Sequence, residues 1–197
     1  MIYSIRGKIL ERHPTFAVIE TSGVAYQIFI SLYTYSNIAP TGEGYLLTHL
    51  IIKEDGHYLY GFSSETERQL FIHLISVNGV GPNTARLILS SMEPDAIKAA
   101  IALRDELVFR KIKGVGPKTA QRILIDLHDK ISKEGFAESS LPGVASPQRM
   151  KSEAISALVA LGFGKPAIDQ VFKDLIELKD PEISLEQIIK AALKKLA

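Results

Sequence analysis

Residues 79–89 read GVGPNTARLIL and residues 114–124 read GVGPKTAQRIL, identical at eight of eleven positions at an offset of thirty-five. A match this close marks two copies of one supersecondary unit. Two glycines let a chain turn sharply and keep side chains off the backbone, while the valine between them can anchor the turn in a core. Pro82 and Pro117 suit a first helical position, where a missing N–H costs nothing and φ is already right. The turn amides and the helix N-terminus that follows then face outward as donors carrying partial positive charge, which is the chemistry of a phosphate site. In the second copy, Lys118 and Arg122 lie one helical turn apart and add charge to the same face. Backbone amides carry no base information, so the expected ligand is a DNA backbone held without regard to sequence. A plain tight corner between helices is the competing reading, but a corner needs neither the repeated Pro and Thr nor the lysines around them.

Other chemistries are poorly served. The chain has no cysteine, and His13, His49, His57, His73 and His128 show no paired metal spacing, so neither a metal site nor a cofactor is expected. Lys118 stands where bifunctional helix–hairpin–helix glycosylases place a nucleophilic lysine, but Phe136 occupies the position of their aspartate. The run GPKT resembles the end of a P-loop, yet Pro117 replaces the glycine that must precede the lysine. A non-catalytic binding protein is therefore expected, with any ATP hydrolysis in a partner. A net charge of +1 hides a local feature: residues 107–125 carry Arg110, Lys111, Lys113, Lys118 and Arg122 and no acid. No apolar run is long enough to span a bilayer, and the N-terminus does not resemble a secretion signal, so a cytosolic protein without a membrane partner is expected.

The elements that must position these residues follow from periodicity. Ile2–Glu11, Phe16–Thr21, Val24–Ile30, Tyr45–Lys53 and His57–Phe62 read as five short strands separated by Pro, Gly and Asp turns, which favours an OB-fold barrel over residues 1–63. At Ser63-Ser64 the period changes from two to about 3.6 after a Ser-x-x-Glu start that resembles a capping box. Helices are predicted near 64–77, 82–91, 94–102, 104–112 and 117–133, giving a tandem helix–hairpin–helix domain over 64–134. Residues 135–148 read as a linker rich in Gly, Ser, Ala and Pro. Residues 149–197 carry three amphipathic patterns: Ile155, Leu158, Val159; Ile168, Val171, Phe172, Leu175; and Leu185, Ile188, Ile189, Leu193, Leu196. Gly162 to Pro166 and Asp180-Pro181 separate them, so a three-helix bundle completes an α+β multidomain chain; the linker before it favours a tethered partner-binding unit over the alternative, a helical cap packed on the main body.

This order of parts, with Arg6-Gly7 near the start, KEDGHYLYGF at 53–62 and EAISALVALGF at 153–163, resembles the RuvA family of Holliday-junction-binding subunits over essentially all 197 residues. The resemblance implies a bacterial homotetramer, with an octamer left open, that holds a four-way junction open during recombination and DNA repair, within the SOS response to DNA damage. It implies that Gly79, Gly81, Gly114 and Gly116 supply hairpin contacts, reinforced by Lys118, Thr119 and Arg122. Asn83 belongs to the same site but departs from the pattern, since many relatives carry lysine there and some carry a second lysine in place of Pro117. Glu54 and Asp55 match the family's acidic pin, a pair of carboxylates near the tetramer centre; without the resemblance they read as an ordinary hairpin turn. The hexameric ATPase RuvB is the implied partner of the C-terminal domain, with Leu158, Leu161 and Phe163 as candidate contacts, and the resolvase RuvC is a further partner the resemblance allows.

Overall fold

Alternating apolar residues build the N-terminal sheet. The computed structural model describes residues 2–133, 147–175 and 184–196. Strands β1 (Ser4–His13), β2 (Phe16–Thr21), β3 (Val24–Ile30), β4 (Gly42–Lys53) and β5 (Gly56–Phe62) close into a barrel in the order β1-β2-β3-β5-β4. All neighbours are antiparallel except β3 and β5, which pair in parallel at Phe29 and Tyr60. This is the five-stranded OB-type arrangement expected from the strand count. Ile5, Ile9, Ala17, Ile19, Ile28, Ile30, Leu46 and Leu59 fill the interior. Gly7 has a specific reason to be glycine: a Cβ there would lie 2.1 Å from the carbonyl oxygen of Glu20 on the neighbouring strand.

The strands begin and end a few residues from their predicted edges. Strand β4 starts at Gly42 because Gly42 and Glu43 pair with Ile9 and Lys8 on β1. A six-residue helix that periodicity did not indicate, α1 (Leu32–Asn37), links β3 to β4 and is capped by Ser31, whose hydroxyl accepts from the Thr34 amide at 3.0 Å. Six residues are too few to show a 3.6-residue repeat.

Five helices follow: α2 (Glu65–Ile75), α3 (Pro82–Ser91), α4 (Pro94–Ala102), α5 (Glu106–Arg110) and α6 (Pro117–Lys133). Helix α5 starts two residues later than predicted, since Arg104 is left-handed (φ +54°) and Asp105 caps the helix by accepting from the Leu107 and Val108 amides at 3.1 and 3.4 Å. Their core includes Leu70, Phe71, Leu74, Ile88, Ile97, Ile101, Phe109, Ile123 and Leu127, and takes in Tyr60 and Phe62 from the outer surface of β5. Barrel and helices thus pack as one unit, Met1–Ala137.

Residues 138–197 form a second unit. Helices α7 (Pro147–Ala160), α8 (Lys165–Leu175) and α9 (Leu185–Leu196) enclose Ala154, Leu158, Ile168, Val171, Phe172 and Ala192. Helix α7 begins inside the stretch read as linker, at Pro147, and residues 135–146 of that stretch lie outside the described residues, as does Asp180-Pro181. Of the apolar stripe assigned to this helix, Leu158 is buried and Ile155 packs against the core, but Val159 is 44% exposed, and Ala154 completes the buried face. Leu158 is buried in the bundle and offers no side chain to a partner, whereas Leu161 is exposed. Among the described residues no helix is long and apolar enough to cross a membrane.

Candidate nucleic-acid interface

The two GVG turns fold alike down to their hydrogen bonds. After α2, Val77 N–H donates to Leu74 O at 3.1 Å and Val80 N–H to Val77 O at 3.0 Å; after α5, Ile112 N–H donates to Phe109 O at 3.0 Å and Val115 N–H to Ile112 O at 3.1 Å. Gly79 and Gly114 take φ of +91° and +88°, a region that side chains other than glycine's enter at a cost. Val80 and Val115 insert into the helical core. Helices α3 and α6 then close their first bonds identically, Ala85 N–H to Gly81 O and Ala120 N–H to Gly116 O, each at 2.9 Å.

Those bonds leave donors over. Among the described residues, the amides of Gly81, Asn83 and Thr84 in the first copy and of Gly116, Lys118 and Thr119 in the second have no protein acceptor. Gly81 and Gly116 have ordinary backbone angles, and a Cβ on either would meet nothing within 4 Å. Gly81 is also the N-cap of α3, where Ser or Asp would cap better. The fold therefore gives no reason for glycine at Gly81 and Gly116. Thr119 Oγ1 lies 4.0 Å from the place a Gly79 Cβ would take, which sets the second hairpin's helix beside the first hairpin.

Charge is distributed unequally between the copies. Lys118 and Arg122 are exposed beside the second hairpin, with Thr119 half-buried between them. Beside the first, Asn83 is exposed without charge, and Leu87, 44% exposed, holds the repeat position of Arg122. Arg86 does not compensate. Its guanidinium donates to Thr15 O at 2.8 Å and sits 5.4 Å from the centroid of the Phe29 ring, so it fastens α3 to the barrel. Burial pushes its pKa down from the ordinary arginine value.

Glu54 and Asp55 occupy the exposed tip between β4 and β5. Tyr58 donates its hydroxyl to Asp55 Oδ2 at 2.9 Å, and the Lys53 ammonium lies 5.1 Å from the centroid of the Tyr58 ring. That hydrogen bond, with the carboxylate's charge behind it, raises the Tyr58 pKa. Sequence reading missed Tyr58; its signal was the three-residue spacing from Asp55, which in a hairpin returns a side chain toward the tip.

Three families match successive parts of the chain: the RuvA N-terminal domain over residues 1–61, the SAM-like helix–hairpin–helix tandem over 71–129 and the RuvA C-terminal domain over 150–197. A protein of Christiangramia forsetii is 43% identical over 196 residues, covering all of both chains. The chain belongs to the RuvA family. Relatives from Flavobacterium psychrophilum, 44% identical over 196 residues, and Porphyromonas gingivalis, 43% identical over 203, again match along the whole of both chains. All three are named Holliday junction branch migration complex subunit RuvA. The RuvA matches fall on the barrel and on the three-helix unit, and the tandem match spans both GVG turns.

Proposed function

We propose that this chain is the junction-binding subunit of a bacterial branch migration complex, working in the cytoplasm during recombination and DNA repair. It grips the sugar–phosphate backbones of a four-way junction through its two hairpins and has no catalytic step of its own. The carrying observation is the repeated pair of N-terminal glycines, Gly81 and Gly116, surrounded by open space and by amides without protein acceptors. Such donors recognise phosphate oxygens and ignore bases. Gly79, Gly81, Asn83, Gly114, Gly116, Lys118, Thr119 and Arg122 form this interface. Two hairpins suit one duplex arm, so a four-armed ligand calls for four copies around it. Glu54 and Asp55 then act as the acidic pin near the centre of the tetramer, where their charge keeps phosphates from collapsing onto the crossover. The three-helix unit engages the motor, the hexameric ATPase RuvB, which supplies ATP hydrolysis.

A gel-shift comparison of a four-way junction with linear duplex of equal length tests the reading. Junction is expected to bind more tightly, with little change when its sequence is replaced; equal affinity for both would overturn the assignment. In the same assay Glu54→Gln with Asp55→Asn should bind junction as tightly or more tightly, most clearly at low salt. Weaker binding by the folded variant would make these carboxylates structural and remove the pin.

A further inference from the structure

The thirty-five-residue offset allows the two hairpins to be compared position by position, and their charges do not match. Arg110, Lys111, Lys113, Lys118 and Arg122 surround the second hairpin; Ile75, Ser76, Asn78, Asn83 and Leu87 hold the equivalent positions around the first. Five cations are thus replaced by five uncharged residues, although the backbones of the two turns are equivalent. Arg86, the arginine of the first copy, is committed to Thr15 and Phe29. A cation nevertheless arrives from elsewhere. Lys130, near the C-terminal end of α6, donates its ammonium to Ser76 Oγ at 3.1 Å. Ser76 is the repeat equivalent of Lys111, so the ammonium is held at the position where the second copy carries its own lysine. The Ser76 hydroxyl donates to His73 O at 2.7 Å and is left with lone pairs for Lys130. Both residues are exposed, so the charge is shared with solvent and open to a ligand.

We infer that Lys130 is a DNA-backbone contact of the first hairpin, a cation lent by the helix of the second hairpin and held in place by Ser76. The proposal rests on the junction-binding reading and adds a residue to it. Its physical sense lies in the end of α2. That helix ends at Ser76, and its last carbonyls place partial negative charge beside the phosphate donors of the turn. At the second hairpin Lys111, the C-cap of α5, and Arg110 in its last turn, which also pairs with Glu106 at 3.8 Å, are placed to offset the corresponding charge; at the first, Lys130 is so placed from across the structure. The second hairpin therefore supplies most of the salt-sensitive attraction, and the first holds the backbone chiefly through its amides plus this single ammonium.

The test is the salt dependence of junction affinity for the full chain, compared with Lys130→Gln and with Ser76→Lys combined with Lys130→Gln, each variant checked by thermal melting. Loss of one phosphate-neutralising cation from each copy should reduce the slope of log affinity against log salt by about 0.9 per copy, about 3.6 for four copies on one junction, so a fourfold rise in salt weakens Lys130→Gln about 150-fold less than wild type. The double variant, which restores a lysine at the repeat position, should recover the wild-type slope. A Lys130→Gln slope equal to wild type overturns the proposal. So does a variant whose only change is a lower melting temperature, since Lys130 would then serve the end of α2 alone. Wild-type preference for junction over duplex, read in the same titrations, tests the underlying function separately.

Discussion

Glu67 shows how far a local sequence signal reaches at the scale of one residue. The Ser64-x-x-Glu67 spacing resembles a capping box, and half of one forms: Ser64 Oγ accepts from the Glu67 amide at 3.2 Å. The carboxylate does not reach back to its own N-cap. It accepts instead from the Ser31 hydroxyl, from Thr34 Oγ1 at 2.6 Å and from the Ser63 amide at 3.1 Å, joining α1 and the end of β5 to α2. Burial raises its pKa above the ordinary 4.5, and the hydrogen bonds only partly offset this. An acid whose folded pKa is raised contributes most below its unfolded value and loses that contribution as pH rises through the folded one. Wild type should therefore lose stability relative to Glu67→Gln as pH rises from about 4 toward neutrality, measured by urea denaturation at each pH. A wild-type stability, taken relative to Glu67→Gln, that stays flat or rises with pH would show that the carboxylate is not held against its charge. Glu67→Ala strands several buried donors and should cost about 3 kcal/mol.

At the scale of the element, the proposed function divides the glycines of each hairpin between folding and binding. Gly79 and Gly114 hold positive φ, so alanine at either should cost about 1–2 kcal/mol of stability. Gly81 and Gly116 have ordinary angles and open surroundings, so alanine there should leave the melting temperature nearly unchanged. The same substitution places a methyl group where a phosphate oxygen must approach the amides, and junction affinity should fall. The two pairs are distinguished by melting curves and gel shifts on the same four variants. Full affinity in a folded Gly81→Ala, Gly116→Ala double variant would remove the hairpin amides from the mechanism.

Over the whole molecule, the proposed function places binding and recruitment in different units. Barrel and tandem helices share an apolar core through Tyr60 and Phe62, so the hairpins rest on a base that includes the sheet. The unit containing α7, α8 and α9 encloses a core drawn from its own helices. A chain ending at residue 146 should accordingly bind junction as the full chain does and fail to stimulate the partner ATPase. The two activities are read by gel shift and by phosphate release with the partner present. Loss of junction binding by a truncated chain that still assembles would assign the last unit to the DNA.

The hairpins were legible from the sequence because their causes are local: a positive φ, a helix-starting proline and a buried valine all act within a few residues, and the repeat displayed them twice. The five strands and the longer helices were legible for a similar reason, since a period of two or 3.6 is written along the chain. Tertiary structure decided what those elements share. Parallel pairing of β3 with β5 closes the barrel, and α1 is too short to carry a period. Glu67 meets Ser31 across 36 residues, Lys130 meets Ser76 across 54 and Arg86 meets Thr15 across 71. A lone polar side chain has no period and no fixed spacing from its partner. Which serine holds Lys130, and which carbonyl withdraws Arg86 from the first hairpin, was settled only when the fold brought those distant segments together.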